Sequence, residues 1–183
     1  MKRTSITVLA CALWLSVCTL AQTQEPTDAS KTQITAEDTQ FMKDAAQSGI
    51  AEVKMGELAA SNGESQQVKD LAQKLVTDHG KVNAELKQLA TKKGVMLPDA
   101  ASEQQKTMLQ HLTSLKGREF DTAFKQHAVE GHQKSVDKFK TAAEKAKDAD
   151  IKAFAAKTLP TLQQHLALAK QLNAAPTATQ PQP

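Results

Sequence analysis

The sequence predicts an all-α fold, a bundle of two long helical hairpins joined by one long connection. Three observations carry this. Between about residues 36 and 173 the chain is rich in Ala, Lys, Gln, Leu and Glu and has no β-branched runs. Apolar residues recur there at three- and four-residue steps. Breaks at Asn62-Gly63, Gly94, Gly117 and Asp148 separate the periodic stretches.

Thr35 opens a capping box, T-A-E-D with an acid at its third position, and a first helix runs from it to about Ser61. Its inward stripe is weak: Phe41, Ala45, Ser48 or Gly49, Glu52, Met55 and Ala59. Small residues on it allow a close helix approach. The second helix spans about Glu64 to Lys93, with Val68, Leu71, Ala72, Leu75, His79, Val82, Leu86 and Leu89 on one face. Gly94 stops it, and Pro98 follows. A short third helix covers about Ser102 to Leu115 and ends at Lys116-Gly117. The fourth runs from about Arg118 to Lys145, with Phe120, Phe124, Ala128, His132, Val136 and Phe139 inward. The fifth runs from about Asp150 to Asn173, with Ile151, Phe154, Thr158, Leu162, His165, Ala169 and Leu172 inward. Pro160 removes that helix's bond to the Ala156 carbonyl and is expected to kink it before His165.

Loop lengths give the wiring. The short turns at Asn62-Gly63 and near Asp148 make antiparallel neighbours. A helix of about 28 residues is roughly 40 Å long, and the connection from Gly94 to Gly117 is long enough to run that height. One such crossover between two hairpins is the ferritin-like four-helix arrangement, here with a short extra helix in the crossover. The alternative is an up-down-up-down bundle with the third helix as a lid. A faint repeat, V-K-D-L-A-Q-K at 68–74 against I-K-A-F-A-A-K at 151–157, is either two equivalent hairpins or chance similarity between Ala/Lys-rich helices.

The first 21 residues read as an export signal: basic Lys2 and Arg3, an apolar run from Ile6 to Leu20, and Thr19-Leu20-Ala21 as a small-x-small cleavage site. Cleavage after Ala21 would deliver the chain to the periplasm or the outside. The rival is lipoprotein processing at Cys18, which the bulky Val17 before it disfavours. Residues 22–35 read as a flexible lead-in, 36–173 as the bundle domain, and 174–183 as a disordered Pro/Thr/Gln tail. Both cysteines and Trp14 leave with the leader, and the chain has no tyrosine. The formal charge of +3 drops to +1 without Lys2 and Arg3. A nearly neutral surface lacking Trp and Tyr excludes ordinary nucleic-acid binding. No second apolar stretch could span a bilayer.

Phe41, A-E-V-K-M-G-E-L-A (51–59), V-T-D-H (76–79), E-F-D (119–121), His132 and T-L-P-T-L-Q-Q-H ending at His165 follow a known pattern. In these residues the chain resembles an exported bacterial ferritin-like family of unknown function, often labelled predicted outer membrane protein. The resemblance covers residues 36 to 173. It implies a ferritin-like bundle and export, and no established activity. It does not imply a barrel, since no ten-residue alternating strands are present.

One polar ligand type per long helix lies on the inward seam: Glu52, His79, His132 and His165. Imidazole and carboxylate at one level suit a single transition-metal ion such as zinc, iron or copper. The bland reading is that these are half-buried histidines bonded to polar neighbours. A di-metal site is weaker, because Val76 and Leu162 stand where a Glu-x-x-His motif needs glutamate. Asp78 and Asp121 are candidates for orienting a histidine, with Glu57, His127 and Glu130 as further candidates. His111 reads as a surface residue, and the scattered methionines as core. No phosphate loop, nucleophile elbow or H-E-x-x-H helix is present.

The expectation is therefore a periplasmic bundle with an envelope or stress-related role, binding one metal through seam histidines. The alternative is a structural or interaction protein of the cell envelope, with a protein partner and no metal. A di-metal redox enzyme ranks third.

Overall fold

The computed structural model describes residues 34–172. The leader with its cleavage point and Cys18, nearly all of the lead-in, and the tail lie outside the described residues.

Within them the chain is all helix, with no named strand: α1 (Ala36–Asn62), α2 (Gln66–Lys93), α3 (Glu103–Ser114), α4 (Gly117–Lys145) and α5 (Ala149–Gln171). Local chemistry sets most ends. The side chains of Thr35, Ser65, Ser102 and Asp148 cap α1, α2, α3 and α5 by accepting backbone N–H groups of the first turn. Gly94 closes α2 at φ 68°, a left-handed conformation that favours glycine. α5 stays one helix through Pro160. None of these helices is long and apolar enough to cross a membrane.

The capping box expected at Thr35 is only half formed. The Thr35 hydroxyl accepts the Asp38 N–H at 3.1 Å. The Asp38 carboxylate is drawn away to the α4–α5 turn, where it accepts the N–H groups of Lys147 at 3.1 Å and Asp148 at 2.9 Å. The complete box sits instead on α3, between Ser102 and Gln105. Asp121, near the start of α4, mirrors Asp38. Its two oxygens accept the N–H groups of Glu64 at 3.0 Å and Ser65 at 2.7 Å, in the α1–α2 turn. Each hairpin's first helix thus grips the other hairpin's turn with a buried carboxylate. This reciprocity, rather than the faint sequence repeat, makes the two hairpins equivalent.

These grips fix the wiring. The start of α1 lies beside the end of α4, and Gly63 pairs with Gly117 where α1 ends and α4 begins. Lys93, at the end of α2, bridges Asp148 and Asp150 at the start of α5. α1 packs on α2 and α4, and α5 packs on α2 and α4, so each of these neighbouring pairs is antiparallel. The connection from α2 to α4 climbs the full height, with α3 along α1. Gln105 of α3 reaches Ser48, and the buried Asn62 donates to the carbonyls of Leu112, Thr113 and Leu115.

The inward stripe of α1 differs from expectation in its first half. Met42 and Ala46 are buried, whereas Phe41 and Ala45 are only partly so. Phe41 packs edge-on against Phe139, with ring centroids 5.0 Å apart. Farther along, a Cβ at Gly56 would stand 2.8 Å from the Ala72 carbonyl oxygen, so α1 and α2 touch there through backbone.

The apolar interior comes in two parts. One gathers Met55, Leu71, Leu75, Phe120, Phe124 and their neighbours near the α1–α2 turn. The other gathers Met42, Leu86, Phe139, Ile151, Phe154 and theirs near the α4–α5 turn. Between the two lies a polar layer.

The α2–α5 junction sets an acid dependence. Burial raises the Asp148 carboxyl, but hydrogen bonds from Lys93 and from the Ile151 and Asp150 N–H groups outweigh it and hold the group below the usual carboxylate range. Bonds from Lys93 and Lys92 lower Asp150 to about 2. A carboxyl whose folded pKa is depressed adds stability above its unfolded pKa of about 3.9 and loses it as pH falls through the folded value. The melting temperature is therefore expected to drop between about pH 4 and 2, and D148N is expected to flatten that drop in a pH series of melts.

Candidate metal centre

The polar layer is built from one residue on each long helix: Glu52 of α1, His79 of α2, His132 of α4 and His165 of α5. All are buried, with His132 at 1% and His165 at 0% relative exposure. Each occupies a buried position on the inward stripe of its helix. The 3.6-residue period turns them inward, and their distances from the turns bring them to one level.

The three imidazoles form a nearly equilateral triangle, with ring centroids 5.3, 5.4 and 5.5 Å apart. One ring nitrogen from each lies within 4.8 Å of those of the other two. His79 Nε2 and His132 Nε2 are 3.3 Å apart. Two nitrogens on a tetrahedral ion with bonds of about 2.0–2.1 Å would stand at nearly that separation.

The outer nitrogens of two of the rings are pinned. His132 Nδ1 is 2.9 Å from the Ala128 carbonyl oxygen, one turn back on α4. A carbonyl only accepts, so the ring proton sits on Nδ1 and the Nε2 lone pair faces His79. His165 Nε2 is 3.0 Å from Asp78 Oδ2, which also receives Lys74 Nζ at 2.9 Å. A carboxylate so held fixes the proton on Nε2 and leaves the Nδ1 lone pair inside. That Nδ1 is buried and has no hydrogen-bond partner. Protonated outer nitrogens backed by a carbonyl or carboxylate, with bare inner ones, are the arrangement that orients metal-binding histidines.

Electrostatics favour the neutral rings. Burial lowers His79 to about 3, helped by the neighbouring His132 and His165. Burial lowers His132 to about 4. Burial also lowers His165, against the opposing pull of Asp78. At neutral pH all three are free bases, the form that coordinates metals. Asp78 itself is pushed up by burial, but bonds from Lys74 and His165 prevail and keep it ionised.

Glu52 does not join the triangle. Its Oε1 lies 3.7 Å from His132 Nδ1, on the outer side of that ring, and its Oε2 has no partner. Burial raises the carboxyl to about 8. The expected set of four therefore resolves into three converging histidines and one carboxyl behind them. Of the further candidates, Asp78 orients His165 as considered. Asp121 holds a turn instead, because its place on the first turns of α4 aims it at the end of the bundle. Glu57 and His111 are exposed. Glu130 is exposed and accepts Gln126 Nε2, and His127 is half-buried in a cleft beside Glu52. Sequence reasoning overlooked the Ala128 carbonyl, though its place four residues before His132 on one helix was the signal for it.

The sequence profile described as "Domain of unknown function (DUF4142)" matches residues 23–172. The chain belongs to the DUF4142 family. None of the curated proteins matches this DUF4142 chain by sequence. Among solved structures it is similar to a DUF305 fragment from Deinococcus radiodurans, at 12% identity and a TM-score of 0.67 over 75% of this chain and 95% of that one. It is also similar to a DUF305 protein from Streptomyces coelicolor, at 15% identity and a TM-score of 0.62 over 73% and 88%. A third similar structure is CopM in its Cu(I)-bound form, at 18% identity and a TM-score of 0.62 over 73% and 93%. At these identities the likeness is one of fold.

Proposed function

We propose that this DUF4142 protein is an exported, ferritin-like four-helix bundle that holds one transition-metal ion through His79, His132 and His165 in the cell envelope. The observation that carries this reading is the inward convergence of three neutral imidazoles, one of them presenting a buried nitrogen with no partner. The full-height crossover between two hairpins supports the ferritin-like assignment, and the leader supports export.

Copper is the preferred ion. A set of nitrogens without a converging carboxylate disfavours magnesium, calcium and manganese, and nitrogen sites rank Cu(II) highest among first-row divalent ions. CopM, which shares the fold, is solved with both Cu(I) and Cu(II) bound. Zinc and iron remain the alternatives. A di-metal redox centre has little support, since among the described residues the carboxyls that meet the histidines, Glu52 and Asp78, lie on the outer sides of the rings, and such centres need several bridging carboxylates.

The competing reading is a structural protein with ordinary core histidines. The His79–His132 and His165–Asp78 bonds favour it, but it gives no account of His165 Nδ1. Protein prepared without a histidine tag separates the two. The metal reading expects one equivalent of copper per chain after dialysis, and a chelator-reversible rise in melting temperature. At free metal 100-fold above Kd the stabilisation is about 2.7 kcal/mol. No retained metal and no shift would leave the structural reading standing.

A further inference from the structure

A cleft of about 450 Å³ opens between α1, the start of α3 and α4. Its walls carry Met108, His127 and Glu130, and its floor is formed by Ala51, Glu52 and Met55, the buried residues among its lining. The Glu52 side chain is 10% exposed. One of its oxygens faces His132, and the other has no hydrogen-bond partner. Across from it α4 has Gly131, where a Cβ would stand 2.8 Å from Glu52 Oε1. Only a residue without a side chain lets the carboxyl lie against α4 at this point.

We infer that this cleft is the entrance through which a metal cation reaches the histidines, and that the Glu52 carboxyl on its floor takes up the ion first, on the outer side of the His132 ring, before the ion moves past that ring to the inner nitrogens. The inference rests on the metal-binding reading above. A cation entering a bundle core must shed water in a medium of low polarity, so each step inward needs a donor to replace the lost water. The cleft offers thioether, imidazole and carboxylate donors on its walls, then the Glu52 carboxyl at its floor. The opposite face is less suited. There His165 is backed by Asp78, whose carboxylate is already engaged by His165 and by the Lys74 ammonium, a positive charge in the path. In the cleft Lys138 is neutralised by Asp44 at 2.5 Å, and Lys134 shares its helix wall with Glu130.

An entrance lowers the barrier in both directions, whereas a ligand deepens the bound state. Rapid mixing with cobalt(II) alone distinguishes them, because its ligand-field absorption reports nitrogen coordination. E52Q is expected to bind the same one equivalent with the same final spectrum, but at least 10-fold more slowly. Its release to excess chelator should slow by a similar factor, leaving Kd unchanged. G131A, which displaces the carboxyl while favouring the helix, is expected to slow uptake likewise. K157A, which removes the exposed Lys157–Glu85 pair on the α2–α5 face, should match the wild type. Wild-type rates in both E52Q and G131A would overturn the entrance and leave the metal site intact, as would a weaker Kd with an unchanged uptake rate. Absence of any cobalt band in the wild type would remove the metal site itself, and the entrance with it.

Discussion

Alanine in place of His132 is expected to abolish metal binding, with no retained equivalent and no chelator-sensitive shift in melting temperature. His132 forms one corner of the histidine triangle. Its Nε2 is 3.3 Å from His79 Nε2, and its Nδ1 is held by α4 itself through the Ala128 carbonyl. The ring is therefore fixed by its own helix and has no need of a partner helix to point inward. Removing it leaves two nitrogens, too few to replace the water around a first-row ion. The metal-free protein should also weaken, because a 1%-exposed imidazole leaves a cavity between the two apolar clusters and His79 Nε2 loses its neighbour. Roughly 2–4 kcal/mol is the scale for such a loss. H132L separates the two effects: a comparable apolar volume restores most of the metal-free stability without restoring binding. H79A and H165A should likewise lose binding. H111A, an exposed site, should keep it.

The second large effect is expected from Asp121→Ala, which should lower global stability without touching the histidines. Asp121 receives two backbone N–H groups, at 3.0 and 2.7 Å, from the turn that joins α1 to α2. Charge-assisted bonds of this kind are the stronger ones, and deletion leaves both donors without their acceptor. Allowing for partial access of water to the turn, about 2–4 kcal/mol is expected. For a chain of this size that is a fall of roughly 5–15 °C in melting temperature. Asp38→Ala should cost a similar amount through the Lys147 and Asp148 N–H groups at the other end. The two sites share no partner and lie at opposite ends of the bundle, so their effects should add. Metal stoichiometry should stay unchanged in both. A loss below about 0.5 kcal/mol in urea titrations of either variant would show that the grips contribute nothing to holding the hairpins together.

These two cases mark where sequence reasoning succeeded and where it stopped. Helix ends were legible to within two residues because caps are local: Ser65, Ser102, Gly94 and Asp148 act within a turn of their own position. The histidines were legible because a buried stripe recurs every 3.6 residues and each sits squarely on one. What Asp38 and Asp121 do was not, because their partners are 109–110 and 56–57 residues away. In sequence Asp38 reads as the acid of a local capping box and Asp121 as a candidate for orienting a histidine. Glu52 was expected to converge with the three histidines, whereas its carboxyl lies on the outer side of the His132 ring. Which side of a ring a carboxyl takes depends on helix spacing, here set by the missing side chain at Gly131. The first half of α1 was misjudged by one residue, since a stripe of small residues gives the period little amplitude to detect.

The central claim is that His79, His132 and His165 converge on one metal ion, and X-ray absorption on copper-loaded, tag-free protein tests it most directly. The predicted spectrum is a first shell of nitrogen or oxygen at about 2.0 Å, as for imidazole–metal bonds, with the outer-shell scattering of three imidazoles and no copper–copper feature. Failure of H132L to retain copper under the same loading would tie the site to this ring. A first shell free of imidazole scattering, with metal bound equally well by H132L, would contradict the account.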